Sequence, residues 1–212
     1  AGAQCAFAGP PAAADVLDAF APEIPRRVGP DPAAAVAREG FDAIVFDHYG
    51  LSEPDHSTLA QGRPALVIDD LADRAIGGDI VLDSGPARRA EDYLGLAPET
   101  ARLLLGPQFA PVRPEFAALR ETTLAHRDGP VQRILIAMGL TDVGGITARV
   151  IERIRPRTPD IALDIVLGES APSLPGLSRI ARRDERLTLH VDTPRMAELT
   201  ADADIAIGAP GS

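Results

Sequence analysis

The stretch Ile44-Val45-Phe46-Asp47-His48-Tyr49-Gly50 leads an apolar run directly into a carboxylate, an imidazole and a phenol, followed by a glycine. An apolar run of this kind is typical of a strand buried in a parallel sheet. In open α/β sheets, ligands bind at the carboxyl ends of the strands, where polar side chains first become accessible. The sequence therefore predicts an α/β fold with a functional site at Asp47, His48 and Tyr49.

Short apolar runs alternate with helical stretches over almost the whole chain, which is typical of mainly parallel sheets covered by helices. Strands are predicted in two series, at 4–8, 43–46, 65–68, 80–82 and 101–104, then at 133–138, 162–167, 187–190 and 204–207. Helices are predicted at 116–126, 145–154, 176–181 and 194–201. The turn-forming Arg127-Asp128-Gly129-Pro130 separates the two series. We therefore predict two domains, residues 1–126 and 131–212.

The composition argues against several classes of protein. The net charge of −10 is unfavourable for a nucleic-acid-binding surface, and no apolar run is long enough to cross a bilayer. The single cysteine, Cys5, excludes an internal disulfide and is consistent with a reducing compartment. Its place in an apolar run predicts a buried, inert thiol. We expect a soluble, cytoplasmic protein with no nucleic-acid or membrane partner; the oligomeric state is not indicated.

Glycine-containing loops follow three strands of the second series, at Gly139-Leu140-Thr141-Asp142, at Gly168, and at the terminal Gly208-Ala209-Pro210-Gly211-Ser212. Glycine allows backbone N–H groups to approach a phosphate, and a helix N-terminus favours negative charge. The spacing matches neither the dinucleotide fingerprint nor the P-loop. Convergence of the three loops would form a nucleotide site. Since the last loop is of a kind that leads into a helix, and the chain begins without Met, we expect an internal segment of a longer protein.

Several other polar groups admit simple interpretations. Asp69-Asp70 follows a second apolar run and predicts either a metal site or the cap of a following helix. The pair Arg88-Arg89 is interpreted as a solvated helix face. No nucleophile elbow is present, so a serine mechanism has no support. The remaining histidines are predicted to lie on the surface or in loops, at positions 56, 126 and 190.

An ordered set of motifs covers nearly the whole chain. In the first half these are Asp47-His48-Tyr49-Gly50-Leu51-Ser52, Ile68-Asp69-Asp70, Asp79-Ile80-Val81-Leu82, Asp92-Tyr93 before Gly95-Leu96-Ala97-Pro98, Leu105-Gly106-Pro107 before Phe109-Ala110, and Arg113-Pro114-Glu115-Phe116. In the second half they are Met138-Gly139 with Thr141-Asp142, Met196-Ala197-Glu198-Leu199, and Ala203-Asp204-Ile205-Ala206-Ile207-Gly208-Ala209. In this order the motifs resemble the UDP-sugar hydrolases of pseudaminic acid biosynthesis, which are relatives of the spore-coat polysaccharide proteins.

The resemblance implies two Rossmann-like domains of glycosyltransferase B (GT-B) type, both incomplete in this chain. It implies that UDP-2,4-diacetamido-2,4,6-trideoxy-β-L-altropyranose is cleaved between the anomeric carbon and the UDP oxygen, in a pathway that serves flagellin glycosylation. Water would be the nucleophile, with inversion and without a metal or other cofactor. The catalytic contacts would be Tyr49, His48 and Asp47, and the histidine thought to be the general base would precede Ala1. The substrate-binding residues would be Gly139, Thr141, Asp142, Gly168, Gly211 and Ser212.

The chain departs from the family pattern in both loops of its second half. Leu140 stands where the family has the second of two glycines, and Pro210 stands where it has glycine, which removes one N–H donor. The chain by itself is therefore expected to be inactive without its missing ends. Two alternatives remain open at this point. One is a UDP-sugar-dependent glycosyltransferase on the same scaffold, and the other is a non-catalytic sugar-nucleotide-binding protein.

Overall fold

The computed structural model describes residues 3–10, 17–18, 21–28, 36, 40–125 and 128–209. These residues form two compact units, and the chain passes from the first to the second between Pro111 and Val112. The turn at 127–130, where the sequence analysis places the domain boundary, lies beyond this point. Within the described ranges, no helix is both long enough and apolar enough to cross a membrane.

The first unit contains a four-stranded parallel sheet. Its strands β3 (Ile44–Asp47), β4 (Ala65–Ile68), β5 (Ile80–Asp83) and β6 (Arg102–Leu105) lie side by side in chain order. Strands β1 (Phe7–Gly9) and β2 (Arg26–Val28) form a separate parallel pair. Helix α1 (Glu53–Ala60) connects β3 to β4, and single 3₁₀ turns follow β5 and β6 at Ala90–Tyr93 and Pro107–Phe109.

The register of this sheet aligns the carboxyl ends of its strands. Asp47 pairs with Ile68, and Asp83 pairs with Leu105. The polar residues that end or follow β3, β4 and β5 therefore emerge at one edge. Below them, strand residues, helix α1, the loop between β4 and β5 and the 3₁₀ turn after β5 form an apolar core that contains Phe46, Ala60, Ala65, Val67, Ile76, Val81 and Tyr93.

The second unit also contains a four-stranded parallel sheet, and here a helix precedes every strand. Helix α2 (Pro114–Leu124) precedes β7 (Arg133–Ala137), α3 (Ile146–Ile154), β8 (Ala162–Leu167), α4 (Leu174–Ala181), β9 (Leu187–Val191), α5 (Met196–Asp202) and β10 (Ile205–Gly208). All four strands are parallel, in the order β10-β7-β8-β9. One face of the sheet packs on α3 and α4 through Ile136, Ile165, Ile151 and Leu177. The other face packs on α5 through Leu135, Val166 and Leu199.

The predicted strands are confirmed, with small differences in their bounds. The first is displaced to Phe7–Gly9, and Cys5 before it is exposed, so the prediction of a buried thiol is wrong. The four predicted helices are confirmed within the described residues. The sequence analysis missed β2 and α1. Helix α1 carried a usable signal, because Ser52 at its N-cap stands three residues before Asp55, whose carboxylate accepts the Ser52 N–H at 2.9 Å.

Candidate functional site

The turn that follows β3 exposes the three side chains singled out by the sequence. Asp47, His48 and Tyr49 are all exposed, and Tyr49 retains 55% of its accessible surface. The N–H of Gly50 donates to Nδ1 of His48 at 3.0 Å. A Cβ at position 50 would lie 2.9 Å from Cε1 of His48, so a larger residue there would displace the exposed imidazole. Because the chain turns here, the three side chains are not restricted to the alternating faces of a strand.

The turn contacts the end of the neighbouring strand. The Tyr49 hydroxyl donates to Oδ2 of Asp70 at 3.0 Å. The second oxygen of this carboxylate, Oδ1, is buried and has no hydrogen-bond partner in the structure. The structure therefore brings together a phenol that follows β3 and a carboxylate that follows β4, which the sequence analysis considered only as part of a metal site or a helix cap.

A buried network of polar side chains lies under this edge of the sheet. The hydroxyl of Tyr93 lies 2.9 Å from Oδ2 of Asp69 and 2.8 Å from Oδ2 of Asp83, and all three residues are at least 97% buried. Burial, together with the two carboxylates, raises the pKa of Tyr93 above its ordinary value. The phenol therefore stays protonated and supplies one proton to two acceptors.

Two arginines complete the network and connect it to the exposed turn. Arg74 donates to Oδ1 of Asp69 at 2.7 Å and also to the backbone carbonyl oxygens of His48 and Leu51. Burial alone would raise the pKa of Asp69, but the Ala72 N–H, the Tyr93 hydroxyl and Arg74 outweigh it and lower the pKa. Asp69 is thus a structural anchor. No helix forms at 70–79, so the capping interpretation of Asp69-Asp70 is wrong.

The second arginine anchors the carboxylate partner of Tyr49. Arg88 donates through Nε to Oδ2 of Asp83 and through Nη2 to the backbone carbonyl of Asp70. The prediction of a solvated arginine pair is therefore wrong for Arg88. Within the described ranges, no group of three His, Cys, Asp or Glu side chains is arranged to hold a metal ion.

In the second unit, the loop at 138–145 that follows β7, called the Gly139 loop below, has a backbone conformation that would let its N–H groups lie close to a ligand. Its residues Gly139, Asp142, Gly144 and Gly145 all have positive φ, at 97°, 43°, 70° and 63°. Gly139 and Thr141 are exposed. This loop ends at the N-terminus of α3, where backbone N–H groups and the helix dipole favour an anion.

Asp142 holds this loop from inside. It is fully buried, and its Oδ1 accepts the N–H of Thr147 at 2.9 Å. Burial alone would raise the pKa of Asp142, but the hydrogen-bond donors around it, among them the Thr147 N–H, outweigh burial, so the pKa lies below its ordinary value. The carboxylate acts on the loop conformation and has no surface to offer a ligand.

Gly168 joins the loop that follows β8 to this one. Its N–H donates to the carbonyl oxygen of Leu140 at 2.9 Å, and a Cβ at position 168 would lie 2.6 Å from that oxygen. Gly168 is buried, so it supports the Gly139 loop through this backbone contact and is not itself accessible. The other predicted binding residues, Gly211 and Ser212, lie outside the described residues.

The sequence analysis also missed a charge cluster around a buried carboxylate. Asp164, in the middle of β8, accepts from Arg133 at 2.6 Å and pairs with Nε2 of His190 at 2.7 Å. Burial alone would raise the pKa of Asp164, but His190 and Arg133 reverse this and lower it. The prediction of a surface or loop histidine at 190 is therefore wrong, because His190 is partly buried within β9. His126 lies outside the described residues.

The prediction is also wrong for His56, which is 1% exposed on α1. Its ring centroid lies 4.6 Å from that of Phe46, and its Nδ1 accepts the N–H of Gly77 at 3.1 Å. Burial, followed by the charge of Arg74, lowers the pKa of this imidazole below its ordinary value. The folded protein therefore holds His56 neutral.

The free energy of unfolding is expected to fall as the pH drops below about 6.5, because the unfolded chain then binds a proton at His56 and the folded chain does not. The loss continues down to the folded pKa, at no more than about 1.4 kcal/mol per pH unit. Urea denaturation between about pH 8 and about pH 5.5 measures it. His56→Gln should flatten this dependence, whereas His48→Gln, which changes an exposed histidine, should not. Equal pH dependence in the wild type and His56→Gln would contradict the prediction.

Comparisons with known proteins agree with the motif resemblance. No family model matches the chain. It is 27% identical over 171 residues to the UDP-2,4-diacetamido-2,4,6-trideoxy-β-L-altropyranose hydrolase of Campylobacter jejuni, covering 80% of this chain and 60% of that protein. It is 24% identical over 178 residues to an uncharacterized protein of Methanocaldococcus jannaschii, covering 80% of this chain and 37% of that protein. The resemblance to the hydrolase is thus confirmed, over a chain that spans only part of either relative.

The crystal structure of Acinetobacter baumannii MurG aligns with 98% of this chain and 63% of its own, at a TM-score of 0.48 and 18% identity. The class of fold follows from this protein's own topology. Parallel sheets with helices make the fold α/β and Rossmann-like, as predicted. The GT-B arrangement of the two units stays a prediction.

Proposed function

We propose that this chain is part of an enzyme that hydrolyses a UDP-sugar, with UDP-2,4-diacetamido-2,4,6-trideoxy-β-L-altropyranose as the substrate. The similarity to the Campylobacter jejuni hydrolase over 80% of the chain carries this proposal. The exposed Asp47-His48-Tyr49 turn supports it, because it presents polar side chains at the carboxyl edge of a sheet and rests on a buried, fully paired network.

In the proposed reaction, water attacks the anomeric carbon as the bond from that carbon to the UDP oxygen breaks. The electron pair leaves with UDP, and the water loses one proton. The second unit would bind UDP through the Gly139 loop and the N-terminus of α3, where N–H groups and the helix dipole favour the diphosphate. Tyr49, His48 and Asp47 would contact the sugar and orient the water, which is a contribution of proximity rather than of a cofactor.

Hydrolysis is tested by incubating the whole protein that carries this sequence with the altropyranose UDP-sugar in oxygen-18 water. Mass spectrometry is expected to find the label on the anomeric oxygen of the free sugar and none on UDP, because attack occurs at carbon. Label on UDP would instead show attack at phosphorus. Release of UDP only when an acceptor is added would indicate a glycosyltransferase. UDP binding without turnover would indicate a binding protein. A requirement for an acceptor, or binding without turnover, would overturn the proposal.

A further inference from the structure

The carboxylate of Asp70 has one oxygen that accepts a hydrogen bond and one that accepts none from the residues that the structure describes. Oδ2 accepts the Tyr49 hydroxyl at 3.0 Å, whereas Oδ1 is buried without a partner in the structure. A carboxylate is an acceptor only, and a buried acceptor is unfavourable unless a donor reaches it. The oxygen that lacks a donor belongs to the same side chain that fixes the exposed phenol of the candidate site.

The structure holds this carboxylate in place from below. The guanidinium of Arg88 donates to the Asp70 backbone carbonyl and is itself held by Asp83, which is fully buried. Arg74 holds the other side of the pair, because it donates to the backbone carbonyls of His48 and Leu51 in the Tyr49 turn. Both partners of the Tyr49–Asp70 hydrogen bond are thus anchored, which is the support that a binding contact requires.

The charge of the group indicates which part of a sugar nucleotide it can meet. Arg74 is paired with Asp69 and Arg88 with Asp83, so that Asp70 has no ion pair of its own among the residues that the structure describes. A carboxylate repels a diphosphate and accepts hydrogen bonds from hydroxyl and amide N–H groups. A diacetamido sugar carries both kinds of donor.

We propose that Asp70 is a substrate-contacting residue that recognises the sugar. It accepts the Tyr49 hydroxyl, and the partly exposed carboxylate keeps further lone pairs with which it accepts a hydroxyl or acetamido N–H of the sugar. Tyr49 and Asp70 therefore act as one unit, in which the carboxylate sets the direction of the phenol. This inference rests on the proposed function. It adds one residue, Asp70, and the class of group that this residue binds.

The test compares Asp70→Asn, Tyr49→Phe and the double variant in the whole protein that carries this sequence. Steady-state kinetics with the altropyranose UDP-sugar give kcat/KM, and calorimetry gives the affinities for that UDP-sugar and for UDP alone. Each single variant is expected to lower kcat/KM by about tenfold or more, which is the value of a hydrogen bond to a charged group. The affinity for UDP should stay within about twofold of wild type, since the contact is to the sugar.

The loss of kcat/KM in the double variant should be smaller than the product of the two single losses, because either change alone breaks the pair. Asp73→Asn is the matched control: its carboxylate is exposed, lies three positions further along, and makes only a 3.4 Å contact to Arg74. It should behave as wild type. Tyr49→Phe changes an exposed side chain, so it keeps the test decisive if Asp70→Asn is poorly folded.

Failure of this inference and failure of the proposed function give different results. If the wild type hydrolyses the UDP-sugar and Asp70→Asn keeps kcat/KM within about twofold, the inference is wrong and the function stands. If the wild type binds the UDP-sugar without releasing UDP, the hydrolase proposal is wrong. The inference is then decided by calorimetry, where Asp70→Asn must lose the affinity that the sugar adds to UDP. A wild type that binds neither compound overturns both.

Discussion

Replacement of Asp83 by alanine is expected to lower the free energy of unfolding of the first unit by about 3–5 kcal/mol, the cost of breaking a buried ion pair from one side. Asp83 is fully buried and accepts the Gly85 N–H at 2.8 Å, the Tyr93 hydroxyl at 2.8 Å and the Nε of Arg88. Alanine leaves all three donors without this acceptor, and the Arg88 charge stays largely buried. Urea denaturation followed by circular dichroism measures the loss.

Two further variants separate this effect from nonspecific damage. Tyr93→Phe removes only the shared hydroxyl and keeps both ion pairs, so its cost should be about 1–3 kcal/mol. Asp73→Ala removes an exposed carboxylate from the same segment and should change stability by less than about 0.5 kcal/mol. A loss below about 1 kcal/mol for Asp83→Ala would show that the network contributes little to the fold.

Replacement of Gly168 by alanine is expected to weaken UDP binding by about tenfold or more if the proposed nucleotide site is correct, because loop displacements of about 1 Å have effects of this size. The added Cβ would lie 2.6 Å from the Leu140 carbonyl oxygen, and a backbone atom cannot rotate away as a side chain can. The Gly139 loop must therefore shift, and the hydrogen bond from the Gly168 N–H to Leu140 shifts with it. Calorimetry with UDP measures the change.

Gly176→Ala provides the matched control for this substitution. Gly176 lies within α4, and a Cβ there meets no atom within 4 Å. Alanine at this position should leave UDP binding unchanged and stabilise the helix by about 0.5–1 kcal/mol. Wild-type affinity for UDP in Gly168→Ala would show that the Gly139 loop takes no part in UDP binding.

The architecture was largely predictable from the sequence, since its signals are local. The apolar runs Ile44-Val45-Phe46 and Leu66-Val67-Ile68 are each typical of a buried strand, and both strands are present, but burial was wrongly predicted for the first, where Val45 is 63% exposed. The helix at Glu53–Ala60 was missed because it has no apolar stripe, and its capping signal was passed over. It buries a histidine, which is a polar side chain that hydrophobic patterning does not mark.

The exposed half of the candidate site was also predictable. Asp47, His48 and Tyr49 are consecutive, so their position at the end of an apolar run is visible without a structure. The glycines of the second unit were found for the same reason. Whether these residues bind a UDP-sugar stays a prediction for experiment.

The buried half could only be decided by the tertiary structure. Asp69, Asp83, Arg88 and Tyr93 come from separate segments, and each alone is consistent with a surface or a capping residue. Parallel pairing of β4 with β5 brings the two aspartates under one phenol, and the register of that pairing is set by the whole sheet. The sequence by itself thus determined the strands and the exposed motif. Long-range packing decided which of these charges are buried together under one phenol, because a buried charge is costly unless it is paired and hydrogen-bonded.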